Sequence, residues 1–267
     1  MISRMYKDTR PVQSSTHTAS TPEMWAATFA SSTRMNPWRM FRFRLTKEWA
    51  LIRKHVPPSS TILDAGCGFG EWVNFLAQEG YQAAGLDYSK QLIARVRETY
   101  PQLTWKEGDI RHIPWPEATF GAVISWGVIE HDEAGPTAAL RDFWRVLTTG
   151  GVTIVTVPLD SPIQRRASKY LYQRDSRPHA FFQYFMTAAD LSAHMRAAGF
   201  DVVEEGILPN AVLQLVSPPL ALRLTGLPFR IVNFFVSSFM SWLPRYCVMR
   251  YAVGVKRTVR QDGVAPL

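Results

Sequence analysis

Short apolar runs alternate with amphipathic stretches along most of this chain. Ile62-Leu63 stands just before Asp64, Gln82–Leu86 ends at Asp87, and Leu103–Glu107 leads into Gly108-Asp109-Ile110. Phe120–Trp126 and Val152–Val157 are apolar almost without a break. Runs of this length predict strands, and continuous apolarity predicts strands covered on both faces. Between them apolar residues recur at helical spacing: over 36–56, where Asn36 and Pro37 supply a cap and a first helical residue, and over 71–79, 89–100, 136–147 and 187–199. Phe200–Glu205 and Tyr251–Arg257 predict two further strands. Strands alternating with helices predict a doubly wound, parallel α/β sheet with right-handed crossovers. Such a sheet binds its ligand at the carboxyl ends of its strands, where Asp64, Asp87 and Asp109 all fall.

Four segments stand outside this alternation. Residues 1–35 are rich in serine and threonine with no steady period, which reads as a mobile N-terminal arm. Residues 158–186 interleave cations with aromatics, and Arg165, Arg166, Tyr170, His179 and Tyr184 are candidates to clasp an anionic or ring-bearing molecule; a solvated loop with an aromatic anchor fits the same composition. Residues 207–246 contain Ile231–Leu243, strongly apolar, too short to span a bilayer and bracketed by Arg230 and Arg245. This stretch reads as a core helix, as a cap over a pocket, or as an interfacial helix anchored by Trp242, which would suit a lipid ligand. Residues 259–267 form a tail. The regular domain therefore comprises 36–206 and 247–258, with 158–186 and 207–246 as insertions on the ligand side.

Composition narrows the class. An apolar fraction of 46% is that of a globular protein, and two distant cysteines, Cys67 and Cys247, give no disulfide framework. With no apolar leader at the N-terminus, a cytoplasmic location is expected, peripheral to a membrane if the 207–246 stretch is interfacial. The net charge of +8 is uneven: residues 1–60 hold 10 Lys/Arg against 3 Asp/Glu, residues 61–160 hold 7 against 13, and residues 161–267 hold 13 against 6. An acidic centre suits a cationic ligand, and the basic flanks suit either solubility or an anionic partner.

The chemistry concentrates in Thr61-Ile-Leu-Asp-Ala-Gly-Cys-Gly-Phe-Gly-Glu71. Glycine at every second position lets the backbone turn sharply and approach a ligand. A dinucleotide loop spaces its third glycine one residue later and opposes a pyrophosphate, which Asp64 would repel. A phosphate-free ligand bearing an ammonium and a sulfonium would instead be attracted. Asp87, 23 residues past Asp64, could accept both ribose hydroxyls of such a nucleoside.

This stretch resembles motif I of the class I S-adenosylmethionine-dependent methyltransferases, and Asp87-Tyr88 resembles their motif II. The resemblance implies a seven-stranded, mostly parallel, Rossmann-like methyltransferase fold with helical cap insertions, and S-adenosyl-L-methionine as cofactor. It assigns cofactor contacts to Asp64, Gly66, Cys67, Gly68, Gly70, Asp87, Tyr88, Asp109, Ile110, Ser125 and Trp126, with Asp109 on the adenine amino group and Ile110 on the ring. Arg145-Val-Leu-Thr-Thr-Gly-Gly151 is similar to the family's Arg-Val-Leu-x-Pro-Gly-Gly, with Thr149 where proline is usual. In the family a helix before motif I often helps close the pocket, which makes Trp25, Phe29 and Trp38 candidates to touch ligand.

His131, after the fourth strand, is the candidate general base, since imidazole titrates near neutral pH. Val128-Ile-Glu-His131 resembles the post-strand motif of quinone-biosynthesis O-methyltransferases, where an earlier glutamate completes a metal site; Gly127 stands there instead, so no metal is expected. The resulting expectation is O-methylation of a small-molecule, glycolipid or quinone-like acceptor. Two alternatives stay open: a nucleic-acid methyltransferase, against which Ser125-Trp-Gly-Val lacks the usual Asn/Asp-Pro-Pro-aromatic motif, and a non-catalytic cofactor-binding subunit.

Overall fold

The computed structural model describes residues 3–8, 21–29, 35, 37–161, 179–208 and 249–257. Arg165, Arg166, Tyr170, nearly all of 207–246 and the 259–267 tail lie outside the described residues, as do the side chains of Trp38 and His179. In chain order the elements are β1 (Ser3–Asp8), α1 (Pro22–Thr28), α2 (Pro37–Arg44), α3 (Lys47–His55), β2 (Thr61–Ala65), α4 (Glu71–Gln78), β3 (Gln82–Asp87) and α5 (Lys90–Thr99). They continue with β4 (Thr104–Glu107), β5 (Phe120–Trp126), α6 (Thr137–Val146), β6 (Leu147–Pro158), β7 (His179–Phe185), α7 (Ala188–Ala197), β8 (Asp201–Leu208) and β9 (Met249–Val255).

A seven-stranded sheet runs in the order β4-β3-β2-β5-β6-β9-β8. The pairs from β4 across to β6 are parallel, and β9 lies antiparallel between β6 and β8. Because β2 pairs with β3 on one side and β5 on the other, strand order reverses there, which opens a crevice at the carboxyl ends of these strands.

Period-two alternation sends neighbouring strand residues to opposite faces. Ile62, Ile124 and Ile154 pack with Trp49 and Ile52 of α3 and Phe75 of α4, whereas Leu63, Val123 and Val155 pack with Leu140 and Phe143 of α6 and Leu191 and Met195 of α7. Leu63 is fully buried, so Leu63→Ala is expected to cost about 2–5 kcal/mol. Thr187 caps α7 in a capping box with Asp190, as its place before the apolar period predicts.

Three expectations change. The helix expected over 36–56 is two helices, because Thr46 turns to an extended conformation, its hydroxyl donating to Phe43 O (2.7 Å) and accepting from Trp49 N–H (3.2 Å). A threonine hydroxyl competes with the helix ladder without interrupting the apolar period, so periodicity ran through the break. The strand expected from Val152 begins at Leu147: Phe120 pairs with Leu147 but Ala122 with Val152, and the Thr148–Gly151 turn is a bulge, its Gly150 N–H donating to Lys256 O (2.7 Å). In the N-terminal arm, residues 3–8 run antiparallel to β7 and residues 22–28 are helical. Thr21 accepts from Met24 N–H (3.3 Å) with Pro22 at the first helical position, the same signal that marks Asn36-Pro37.

Candidate functional site

The glycine loop is fixed from below. Gly66 and Cys67 N–H both donate to Leu86 O (2.8 and 2.9 Å), tying the loop to β3. Gly66 has φ +90°, and a Cβ there would overlap the Val128 side chain. Gly70, at φ +71°, opens α4, and a Cβ on it would overlap the Trp105 ring. These glycines are required twice over, by handedness and by close approach.

Above the loop lies a cavity of ≈ 350 Å³. Its donor-side wall is Gly66, Gly68, Asp87 and Tyr88 together with Gly108–Arg111; its other wall is Trp126–Val128 and His131–Glu133; Trp25 and Phe29 of the N-terminal segment complete it. Phe29 approaches within 3.1 Å of where a Gly68 Cβ would stand, and its carbonyl accepts from Arg95 Nη1 (2.9 Å).

Asp87 is almost completely buried: one carboxylate oxygen accepts Gly68 N–H and the other Ser89 N–H, each at 2.9 Å. Burial pushes its carboxyl above the ordinary range, and the N–H donors of Ser89, Gly68 and Tyr88 pull it back. Tyr88 beside it is half-exposed at the cavity. Asp109 is chelated by Arg111 through Nε (2.9 Å) and Nη2 (2.6 Å) to Oδ2; burial raises its pKa, but the hydrogen bonds from Arg111 outweigh burial and hold it below the ordinary range. An adenine amino group would thus share Asp109 with a guanidinium. Ile110 is on the same wall.

Four of the residues expected at the cofactor stand behind the wall. Asp64 is buried under the loop, where burial and then the neighbouring Asp87 push its carboxyl up to about 8. The Cys67 thiol is buried and driven well above its ordinary value, first by that burial. Gly70 packs on Trp105, and Ser125 Oγ donates to Ala65 O (2.9 Å), locking β5 to β2. They shape the cradle from beneath.

On the other wall, His131 ends a short 3-10 turn, Ile129–His131, that leaves β5 at Gly127 (φ +70°). Its ring meets Trp25 edge-on, with centroids 5.0 Å apart. Glu130 beside it is buried, its Oε1 3.9 Å from His131 Nε2, and burial raises its carboxyl to about 8. Tyr184, a candidate either to clasp a ligand or to anchor its loop, is buried in the core, and its hydroxyl donates to Glu133 O (2.7 Å), bracing this loop. Arg111, Val128, Asp132 and Glu133 are wall residues that the sequence did not single out. Arg111 lies two residues from Asp109, and the turn after a central strand is where such residues gather.

The wall suits a cationic nucleoside. Asp87, Asp109, Asp132 and Glu133 face the cavity against Arg111, a net negative lining, and the glycine backbone admits a ligand at close range. Trp126 Nε1 is buried and, among the described residues, lacks an acceptor. Among the described residues no group of three His, Cys, Asp or Glu is placed to hold a metal ion.

A family model described as a methyltransferase domain matches residues 38–205. A Mycolicibacterium smegmatis protein bearing the name "probable S-adenosylmethionine-dependent methyltransferase" is 32% identical over 143 residues, 53% of this chain and 52% of that one. The chain thus spans about half the length of that relative. The 2-phytyl-1,4-naphtoquinone methyltransferase of Thermosynechococcus vestitus is 29% identical over 181 residues, 59% of this chain and 80% of that one. Among solved structures, the 4+2 cyclase SpnF aligns with a TM-score of 0.59 at 17% identity, over 91% of this chain and 98% of that one. A cyclase on this architecture is a reminder that fold alone does not set the reaction.

Proposed function

The chain belongs to the methyltransferase-domain family, the class I S-adenosylmethionine-dependent methyltransferases, and from that premise we propose that it O-methylates a lipophilic, quinone-like or lipid-linked small molecule. The observation that carries this reading is the sharing of one ≈ 350 Å³ cavity by the Asp87–Asp109 wall and the His131 ring. Kinship with a quinone methyltransferase supports the acceptor class.

In this reading Gly66, Gly68, Asp87, Tyr88, Asp109 and Ile110 hold S-adenosylmethionine, whose sulfonium supplies a methyl group already activated for in-line displacement. The chain aligns the acceptor, excludes water and removes one proton. Asp87, whose oxygens already accept Gly68 and Ser89 N–H, would accept ribose hydroxyls at its remaining lone pairs. His131 takes the acceptor hydroxyl proton at a ring nitrogen as the oxygen attacks, held in place by the edge of Trp25. A nucleic-acid acceptor is disfavoured by the acidic lining, and methyl transfer to any acceptor would exclude a purely scaffolding role.

His131→Ala should slow turnover by about 100-fold and leave cofactor affinity nearly unchanged. Single-turnover rates and calorimetry on the same preparations separate the two. Equal rates in variant and parent across about pH 6 to 9 would remove the base role.

A further inference from the structure

Among the described residues lining the cavity, Arg111 is the only lysine or arginine, set against Asp87, Asp109, Asp132 and Glu133. It stands between the two walls. On the donor side it fills the Asp109 carboxylate: Oδ1 accepts Arg111 N–H (2.8 Å) and Nε (3.0 Å), and Oδ2 accepts Nε (2.9 Å) and Nη2 (2.6 Å). On the acceptor side, Arg111 Nη1 is 3.5 Å from Asp132 Oδ2, and that oxygen is buried without a hydrogen bond among the described residues. The other Asp132 oxygen accepts Ala134 N–H (3.0 Å). A carboxylate offers about four lone-pair sites, so Asp109 is saturated while Asp132 is half used.

That imbalance bears on ligand binding. A hydrogen-bond donor arriving at Asp109 finds no open site, so it must displace a guanidinium N–H. The displaced group is already beside a buried acceptor that lacks a donor, and an unmet buried acceptor is costly. The Arg111 and Asp109 side chains are 43% and 37% exposed, so water screens their pairing; Asp132 is only 14% exposed, and a charge-assisted bond to it is worth more. Asp132 directly follows His131, and its main-chain oxygen accepts Gly135 N–H (2.9 Å) to close the next turn. Holding Asp132 therefore holds the turn that carries the His131 ring.

We propose that Arg111 is a positioning residue that couples the two halves of the cavity: when the adenine amino group takes an Asp109 oxygen, the guanidinium moves on to Asp132 Oδ2 and fixes the turn bearing His131. The acceptor wall is then held most firmly with cofactor in place, which favours binding of cofactor before acceptor. This rests on the function proposed above, because the donor that reaches Asp109 is the cofactor's. The link is confined to the two carboxylates; the Tyr184 brace ends on Glu133 O and is not part of it.

A double-mutant cycle in S-adenosylmethionine affinity, measured by calorimetry on the full chain, tests the coupling. Asp132→Asn in the parent should weaken cofactor binding about fivefold, because the displaced guanidinium loses its second partner, and should change it by less than about twofold when Arg111 is already alanine. Arg111→Lys keeps the charge but has no fork to span two carboxylates, so it should abolish the effect of Asp132→Asn as Arg111→Ala does. Hydrogen exchange supplies a second readout: cofactor should slow exchange of the amides of residues 128–135 about fivefold in the parent and leave it unchanged in both Arg111 variants. An equal loss on Asp132→Asn with and without Arg111 would mean that Asp132 attracts the cofactor directly. No loss in either background, or cofactor protection of 128–135 that persists in Arg111→Lys, would leave an ordinary surface ion pair. Each of these outcomes overturns the proposal. Failure of the parent to bind S-adenosylmethionine sinks the methyltransferase reading and the coupling together, whereas binding without coupling sinks the coupling alone.

Discussion

The two walls of the cavity are built by different means. On the donor side, Gly66, Gly68, Asp87 and Asp109 come from the ends of three consecutive strands, and main-chain N–H groups hold most of them: Gly66 and Cys67 donate to Leu86 O, and Gly68 and Ser89 to the Asp87 carboxylate. On the acceptor side, Trp126 and His131 follow β5 while Trp25 and Tyr184 come from distant parts of the chain, and side chains hold the wall: Trp25 against His131, Trp72 against Trp126, and Tyr184 on Glu133 O. A wall made of main chain keeps its shape through most substitutions outside its glycines. A wall made of side chains changes shape with each replacement, which suits a surface that must differ among acceptors.

The contrast breaks most sharply at Gly66. Gly66→Val sets a branched side chain at φ +90° and against Val128, so cofactor affinity should fall by at least about 100-fold in calorimetry. Retained affinity would mean that the loop can move off β5, and the donor wall would then be as pliable as the other.

Asp87→Ala should weaken the cofactor by at least about tenfold, because the ribose loses its acceptor and the N–H groups of Gly68 and Ser89 lose theirs. Unchanged affinity would sink the ribose assignment. A smaller, pH-dependent effect follows from Asp64. Its folded carboxyl sits at about 8 against an ordinary 3.8, so the native state keeps a proton that the unfolded chain releases. The stability from burying the neutral acid is fully present below 3.8 and is lost as pH rises toward about 8. A bound cation favours the ionised form and expels that proton, so cofactor affinity should climb a few-fold toward about pH 8 and then level off. Asp64→Asn should flatten the climb; an unaltered pH profile in that variant would assign the proton elsewhere.

The donor wall was legible in the sequence because its logic is local. Strand, glycine loop and helix follow one another within residues 61–79, and Asp87 and Asp109 stand at the next two strand ends, so spacing alone places them together. What spacing could not show is depth: Asp64, Cys67 and Ser125 lie on motif positions yet are buried beneath the wall, since which side of a strand end meets the ligand depends on the twist of the whole sheet. The acceptor wall was legible only in part. His131 was found from its place after a central strand, but Tyr184 stayed open between a ligand contact and an aromatic anchor, and its ring belongs to the core beside Phe181. An aromatic next to cations looks the same in sequence whether it faces a pocket or anchors a loop. Pairing of β1 with β7 joins residues 3–8 to residues 179–185, a contact between segments that carry no shared local pattern.

Tyr184→Phe offers the mildest and most discriminating change. It keeps the ring in the core with Phe181 and removes the hydroxyl that donates 2.7 Å to Glu133 O, leaving that carbonyl to find another donor. The expected loss of stability is about 1 kcal/mol, read as a lower denaturant midpoint with an unchanged slope. Because Glu133 follows His131 by two residues on the same wall, the acceptor KM should rise a few-fold while cofactor affinity stays put. A matching fall in cofactor affinity would show that the two walls move as one body, and the division between a main-chain wall and a side-chain wall would not hold.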